Sequence, residues 1–109
     1  MASLTNLSEK KIIVIGDPGL CLIGGAAGVD YFIYRGDCSE LNNAITSEEY
    51  SVYIILRDIY TKCKNTIDDL LKRDVLVILI DSPKIMKEID PKKYYEELIA
   101  KYIGIRINL

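Results

Sequence analysis

Four short aliphatic and β-branched runs recur along the chain, each closed by turn or helix-capping residues, and this alternation narrows the possible folds. The runs are Lys11-Ile-Ile-Val-Ile15, Asp30-Tyr-Phe-Ile-Tyr34, Ser51-Val-Tyr-Ile-Ile-Leu56 and Asp74-Val-Leu-Val-Ile-Leu-Ile80. Each has strand length and strand composition. The third is apolar enough to be buried on both faces. Helical patterns lie between them, and short strands alternating with helices predict an α/β fold. The expected architecture is a four-stranded parallel sheet flanked by helices, Rossmann-like and receiver-like in topology, plus a C-terminal helix. Its crossovers should be right-handed.

The punctuation supports this reading. After the first strand, Asp17 can accept from free backbone N–H groups, and Pro18 suits the first turn, where its missing N–H is not needed. The helix expected from Pro18 to Ala27 has poor propensity, because Gly19, Gly24 and Gly25 each cost up to ~1 kcal/mol relative to alanine. Gly28 should end it. A short helix over 39–45 would turn Leu41 and Ile45 inward. Asp58 can cap a longer helix from Ile59 to Lys72, where Ile59, Cys63, Ile67, Leu70 and Leu71 form one stripe. Asp90-Pro91 repeats the cap-and-proline start, with a helix over 92–103 and Gly104 placed to stop it. The chain thus divides into a polar lead (1–10), an α/β domain (11–83), and a short linker with the C-terminal helix and tail (84–109).

Composition removes several function classes. A chain of 109 residues suits one domain. Fourteen Lys and Arg against sixteen Asp and Glu give a net charge of −2 with no basic stripe, so nucleic acid is not an expected partner. No histidine is present, which removes the commonest metal ligand and general base. Gly16-Asp17-Pro18-Gly19 follows a first strand but matches neither GxxxxGK[ST] nor GxGxxG. Asp17 would also set a carboxylate where a pyrophosphate should lie. No catalytic residue, cofactor or metal is therefore expected, and an enzyme is not. The weakly charged stretch 12–29 is interrupted by Asp17-Pro18 and Gly24-Gly25, which argues against a membrane span. Residues 1–9 lack the pattern of a secretory signal. Cys21, Cys38 and Cys63 are odd in number and show no CxxC spacing, so reduced thiols in a cytoplasmic protein are expected.

Two constellations remain. Asp17, Asp58 and Lys84 follow three different strands, so a parallel sheet would gather them at one edge, as in a phosphoacceptor receiver. Their simpler reading is two helix caps. The other constellation is apolar. Residues 18–29 carry no charge, and a helix apolar all round must be covered on every side, which makes Leu22 and Ile23 candidate partner positions. Tyr94, Tyr95, Leu98, Ile99, Tyr102 and Ile103 share one face of the last helix, which can lie on its own sheet or on a partner. Appended after a complete sheet, that helix is expected to detach without undoing the domain.

Taken in order, Ile-Ile-Val-Ile-Gly-Asp (12–17), Ala-Gly-Val (27–29), Tyr53-Ile-Ile-Leu-Arg-Asp-Ile59, Val75-Leu-Val-Ile-Leu-Ile-Asp-Ser-Pro83 and the ending Tyr95-Glu-Glu-Leu-Ile-Ala-Lys-Tyr-Ile-Gly-Ile-Arg-Ile107 carry a family likeness. The chain resembles the F subunit of archaeal-type and vacuolar-type rotary ATPases from residue 11 onward. It departs from that family at Ile23-Gly24, where Gly-Phe is usual, and in a shortened segment at 84–89. The resemblance implies a non-catalytic component of the central stalk, in a complex that couples ATP synthesis or hydrolysis to proton or sodium transport. It implies contact with the D subunit of the central shaft and with the A and B subunits of the catalytic head. It also implies a cytoplasmic location, peripherally membrane-associated through the complex. A degenerate receiver-like signalling domain is the alternative.

Overall fold

The structure, a computed structural model, describes residues 11–47, 49–83 and 90–107, with side chains described as far as Tyr102. The polar lead 1–10, Lys84 with the linker 84–89, the Ile103 side chain and the end of the tail lie outside the described residues. Strands β1 (Ile12–Gly16), β2 (Asp30–Ile33), β3 (Val52–Leu56) and β4 (Leu76–Ile80) form one sheet in the order β2-β1-β3-β4, and every pairing is parallel. The helices are α1 (Pro18–Ala26), α2 (Cys38–Ser47), α3 (Arg57–Lys62), α4 (Lys64–Leu71) and α5 (Pro91–Ile107). This is the α/β fold that the alternation predicts. Helix α5 packs beside α1, and α2 touches α4.

The central strands carry the core. All of β1 is buried, as are Tyr53 to Leu56 of β3, which fits their unbroken apolar runs. Leu41 and Ile45 of α2 are buried as their spacing predicts. Strand β4 has the strongest run in the sequence yet lies at the sheet edge, where Leu76 is exposed and Val77, Ile78 and Leu79 are half-buried. A hydrophobic run sets strand character, whereas strand order follows from the crossovers.

Helix α1 starts as read. Asp17 Oδ1 accepts from the Leu20 N–H at 2.8 Å, and Pro18 stands in the first turn. Its glycines permit close packing, since a Cβ on Gly24 would come within 3.1 Å of Val14 Cγ2. Gly28, at φ 88°, lets the Val29 N–H return to the Gly24 carbonyl and the Gly28 N–H to that of Gly25, a Schellman ending.

Several expectations need correction. The helix read over 59–72 is two helices, broken at Cys63, whose backbone leaves the helical region at φ −118° and ψ 45°. Asp58 does not cap it: β3 runs into α3 without a loop, Leu56 takes the cap position, and Asp58 falls in the first turn. Leu71 leaves the stripe and is exposed, while Ile59, Cys63, Ile67 and Leu70 are buried. Gly104 does not stop the last helix, which continues to Ile107. A single glycine inside a helix costs only ~1 kcal/mol. The thiol expectation also changes, because Cys38 and Cys63 form a disulfide with Cα atoms 5.5 Å apart, leaving Cys21 free and buried. Burial pushes the Cys21 thiol up to about 11, so it stays protonated and inert near neutral pH.

Among the described residues no helix is long and apolar enough to cross a membrane.

Candidate functional site

The carboxyl ends of β1 and β4 face the N-terminal ends of α1 and α5, and a cleft of about 520 Å³ opens between them. Its walls are largely apolar, formed by Leu22, Ile23 and Gly19 from α1, Ser82 and Pro83 after β4, and Pro91, Lys92 and Tyr95 from α5. Asp17 and Tyr95 also line it. The Tyr95 hydroxyl donates to Asp17 Oδ2 at 2.8 Å, and Asp17 Oδ1 is already held by the Leu20 N–H. Both carboxylate oxygens therefore serve the fold. One fixes the start of α1, and the other ties α5 to it.

Asp17 thus works as a cap and a tether, as the simpler reading of the Asp17, Asp58 and Lys84 set expects for it, whereas Asp58, read there as a second cap, does not cap α3. Asp58 is exposed in the first turn of α3, and Lys84 lies outside the described residues. No group of three or more Cys, Asp or Glu suited to a metal occurs among the described residues.

The apolar candidates separate into two kinds. Tyr95 and Ile99, each 2% exposed, belong to the core cluster, while Ile23, Tyr94, Leu98 and Tyr102 are half-buried against it. Leu22 points outward and is 74% exposed. The Tyr94 hydroxyl donates to the Asp81 carbonyl at 3.0 Å, so α5 is fastened to the end of β4 as well as to α1. Of the two positions open to the last helix, this structure shows it seated on its own domain. The Tyr95–Asp17 bond spans 78 residues of sequence and could not be read from local pattern.

A family-model scan, a search of curated proteins and a search of solved structures each give no match to this chain.

The tether makes a pH-dependent contribution. Burial first, then the hydrogen bond to Asp17 and its negative charge, raise the Tyr95 phenol above its ordinary value of 10. The folded state therefore holds this proton more tightly than the unfolded chain does. Stability from Tyr95 is complete below pH ~10 and is lost as pH rises beyond it. Tyr95→Phe should cost about 1–2 kcal/mol at neutral pH, because Asp17 loses a donor. It should also flatten the decline above pH ~10. Urea unfolding of both chains from pH 7 to 11 checks both effects, and parallel alkaline limbs would show that Tyr95 does not titrate as described.

Proposed function

We propose that this chain is a non-catalytic central-stalk component of a rotary ATPase, of the F-subunit kind, coupling ATP turnover to proton or sodium transport through its contacts. The observation that carries the reading is the pairing of α1 with α5, which leaves a largely apolar surface at the sheet's carboxyl edge. Leu22 is exposed, and Ile23 of α1 and Tyr94, Leu98 and Tyr102 of α5 are half-buried. The ordered motifs from Ile12 to Ile107 support the same reading. In it, the α/β domain sits on the D subunit of the shaft, and α5 is the element that faces the A and B subunits of the head. The protein is then cytoplasmic and reaches the membrane only through its complex.

A disulfide in a cytoplasmic protein is unusual in mesophiles but common inside hyperthermophiles. The Ile- and Tyr-rich, His-free composition fits such a source.

Capture with a tagged chain from native membranes, washed at low and high salt, tests the proposal. Co-purification of ATPase subunits supports it, and their absence at both salts overturns it. Leu22→Glu should weaken capture at least tenfold without moving the thermal unfolding midpoint, since the side chain is exposed. Undiminished capture would remove α1 from the contact surface. The receiver-like alternative requires an aspartate at the sheet edge free to accept phosphate; Asp17 is bonded through both oxygens, and Asp58, though exposed, lies within the first turn of α3, past the end of β3. Incubation with an acyl-phosphate donor and magnesium should leave the chain unmodified.

A further inference from the structure

Cys38 is the first residue of α2, and Cys63 occupies the break between α3 and α4, so their bond joins two helices at chain positions 25 apart. The two cysteines differ in exposure. Cys63 is 3% exposed, whereas Cys38 is only half-buried. Each also has an oxygen partner. The Lys62 carbonyl lies 3.5 Å from Cys38 Sγ, and the Tyr34 hydroxyl lies 3.5 Å from Cys63 Sγ and 3.9 Å from Cys38 Sγ, so it sits nearer the buried cysteine. A disulfide sulfur cannot donate to a carbonyl, but a thiol at Cys38 can donate to that of Lys62. A thiol at Cys63 can likewise donate to Tyr34, and a thiolate there can accept from it. The surroundings therefore satisfy the reduced pair as well as the oxidised one.

We propose that Cys38–Cys63 is a thiol–disulfide exchange site of the folded protein, whose reactant is a dithiol attacking at Cys38 and displacing Cys63. A thiolate of the reductant meets Cys38 Sγ because Cys38 is the more exposed residue of the pair. A bond forms between reductant sulfur and Cys38 Sγ, the Cys38–Cys63 bond breaks, and Cys63 leaves with the electron pair. The Tyr34 hydroxyl stabilises that thiolate by donating to it, and the thiolate then takes a proton from water. The second reductant thiolate attacks its own sulfur in the mixed disulfide, closes a disulfide within the reductant, and releases Cys38, which is protonated in turn. Two electrons pass to the protein, and the two protons lost by the dithiol are balanced by two new protein thiols.

At Cys38 the Tyr34 hydroxyl is farther, 3.9 Å against 3.5 Å at Cys63, so its donation favours Cys63 as the leaving sulfur. Asp37 Oδ1 already accepts from the Ser39 and Glu40 N–H groups, and its charge opposes a second anion there. The bond reports on more than itself, because it pins the α3–α4 break to α2. The Ile59 carbonyl accepts from the Cys63 N–H at 2.8 Å, and the Cys63 carbonyl accepts from the Ile67 N–H at 3.1 Å. Helical register therefore passes through the break. Reduction frees this junction from α2 while leaving its hydrogen bonds in place.

The test uses the full chain under native conditions. Reduction by dithiothreitol, followed by quenched alkylation and mass measurement, should proceed at a rate linear in dithiothreitol concentration. A rate that plateaus at the global unfolding rate would overturn the proposal and make the bond a structural staple. Glutathione, which cannot close a ring, should trap a mixed disulfide, and peptide mapping should place it on Cys38. Adduct on Cys63 would overturn the assigned direction. Tyr34→Phe should slow reduction about three- to tenfold, the loss of one hydrogen bond to the leaving sulfur. An unchanged rate would overturn the role of Tyr34 at the leaving sulfur. Cys21, which is buried, should remain unlabelled throughout, and its labelling would show that the fold had opened.

Discussion

Replacing Ile99 by alanine should remove about 2–5 kcal/mol of folding stability, and Tyr95→Ala about 3–5 kcal/mol, the range for emptying buried sites of this size. Both side chains are 2% exposed and belong to the same core cluster as β1 and β3. The loss at Tyr95 has a second part, because Asp17 Oδ2 would be left without its donor. Single-domain proteins are stable by only ~5–15 kcal/mol, so the double variant approaches the whole of it. Leu98→Ala, at a half-buried position on the same helix, should cost clearly less. Urea unfolding of the three variants gives the comparison directly. Equal small losses at all three positions would mean that α5 is an appendage.

These losses limit how α5 can act. A helix that leaves the domain must take Tyr95 and Ile99 out of the core and uncover α1. A partner can draw it away only by offering comparable burial, since a ligand shifts an equilibrium by no more than its differential affinity. Deletion of 90–109, which the sequence suggests should leave an intact domain, is therefore expected to leave one with little stability. In a stalk complex the helix would move only when shaft and head together replace what α1 and Asp17 supply.

Local chemistry was legible in the sequence, and tertiary placement was not. Capping is local, so Asp17-Pro18 and the glycine at 28 declared the ends of α1 without tertiary information. Asp58 has the same chemistry and misled, because the missing loop between β3 and α3 moved the helix start earlier, to Arg57. Periodicity carried Ile59, Cys63, Ile67 and Leu70 across a break it could not detect, since both helices keep one buried face. Pairing of Cys38 with Cys63 depends on Cα atoms brought to 5.5 Å by the fold, and an odd count with no motif spacing gives no hint of that. At the cleft, the tyrosine stripe was legible as apolar surface. Its division into buried Tyr95 and Ile99 and half-covered Tyr94, Leu98 and Tyr102 was not, because it depends on where α5 lies against α1.

The disulfide sets the second large effect. Cross-linking positions 25 apart removes loop-closure entropy from the unfolded chain, and the chain-entropy relation gives about 3–4 kcal/mol for a loop of that length. At ~4–8 °C per kcal/mol for a small domain, breaking the bond should lower the unfolding midpoint by roughly 12–30 °C. Two routes break it, and they should not agree fully. Reduction keeps both sulfur atoms in the protein, moved apart only to non-bonded contact, so it comes close to isolating the cross-link. Cys38→Ala with Cys63→Ala removes the sulfur atoms as well, and Cys63 is buried beside Ile59 and Ile67 in the core cluster. The double variant should therefore unfold somewhat below the reduced wild type, by the cost of the small void left at Cys63. Calorimetry of the oxidised, reduced and double-alanine chains at one pH separates the two contributions. If the reduced chain unfolds within a degree or two of the oxidised one, the unfolded chain already keeps α2 near the α3–α4 junction. The cross-link would then remove little freedom.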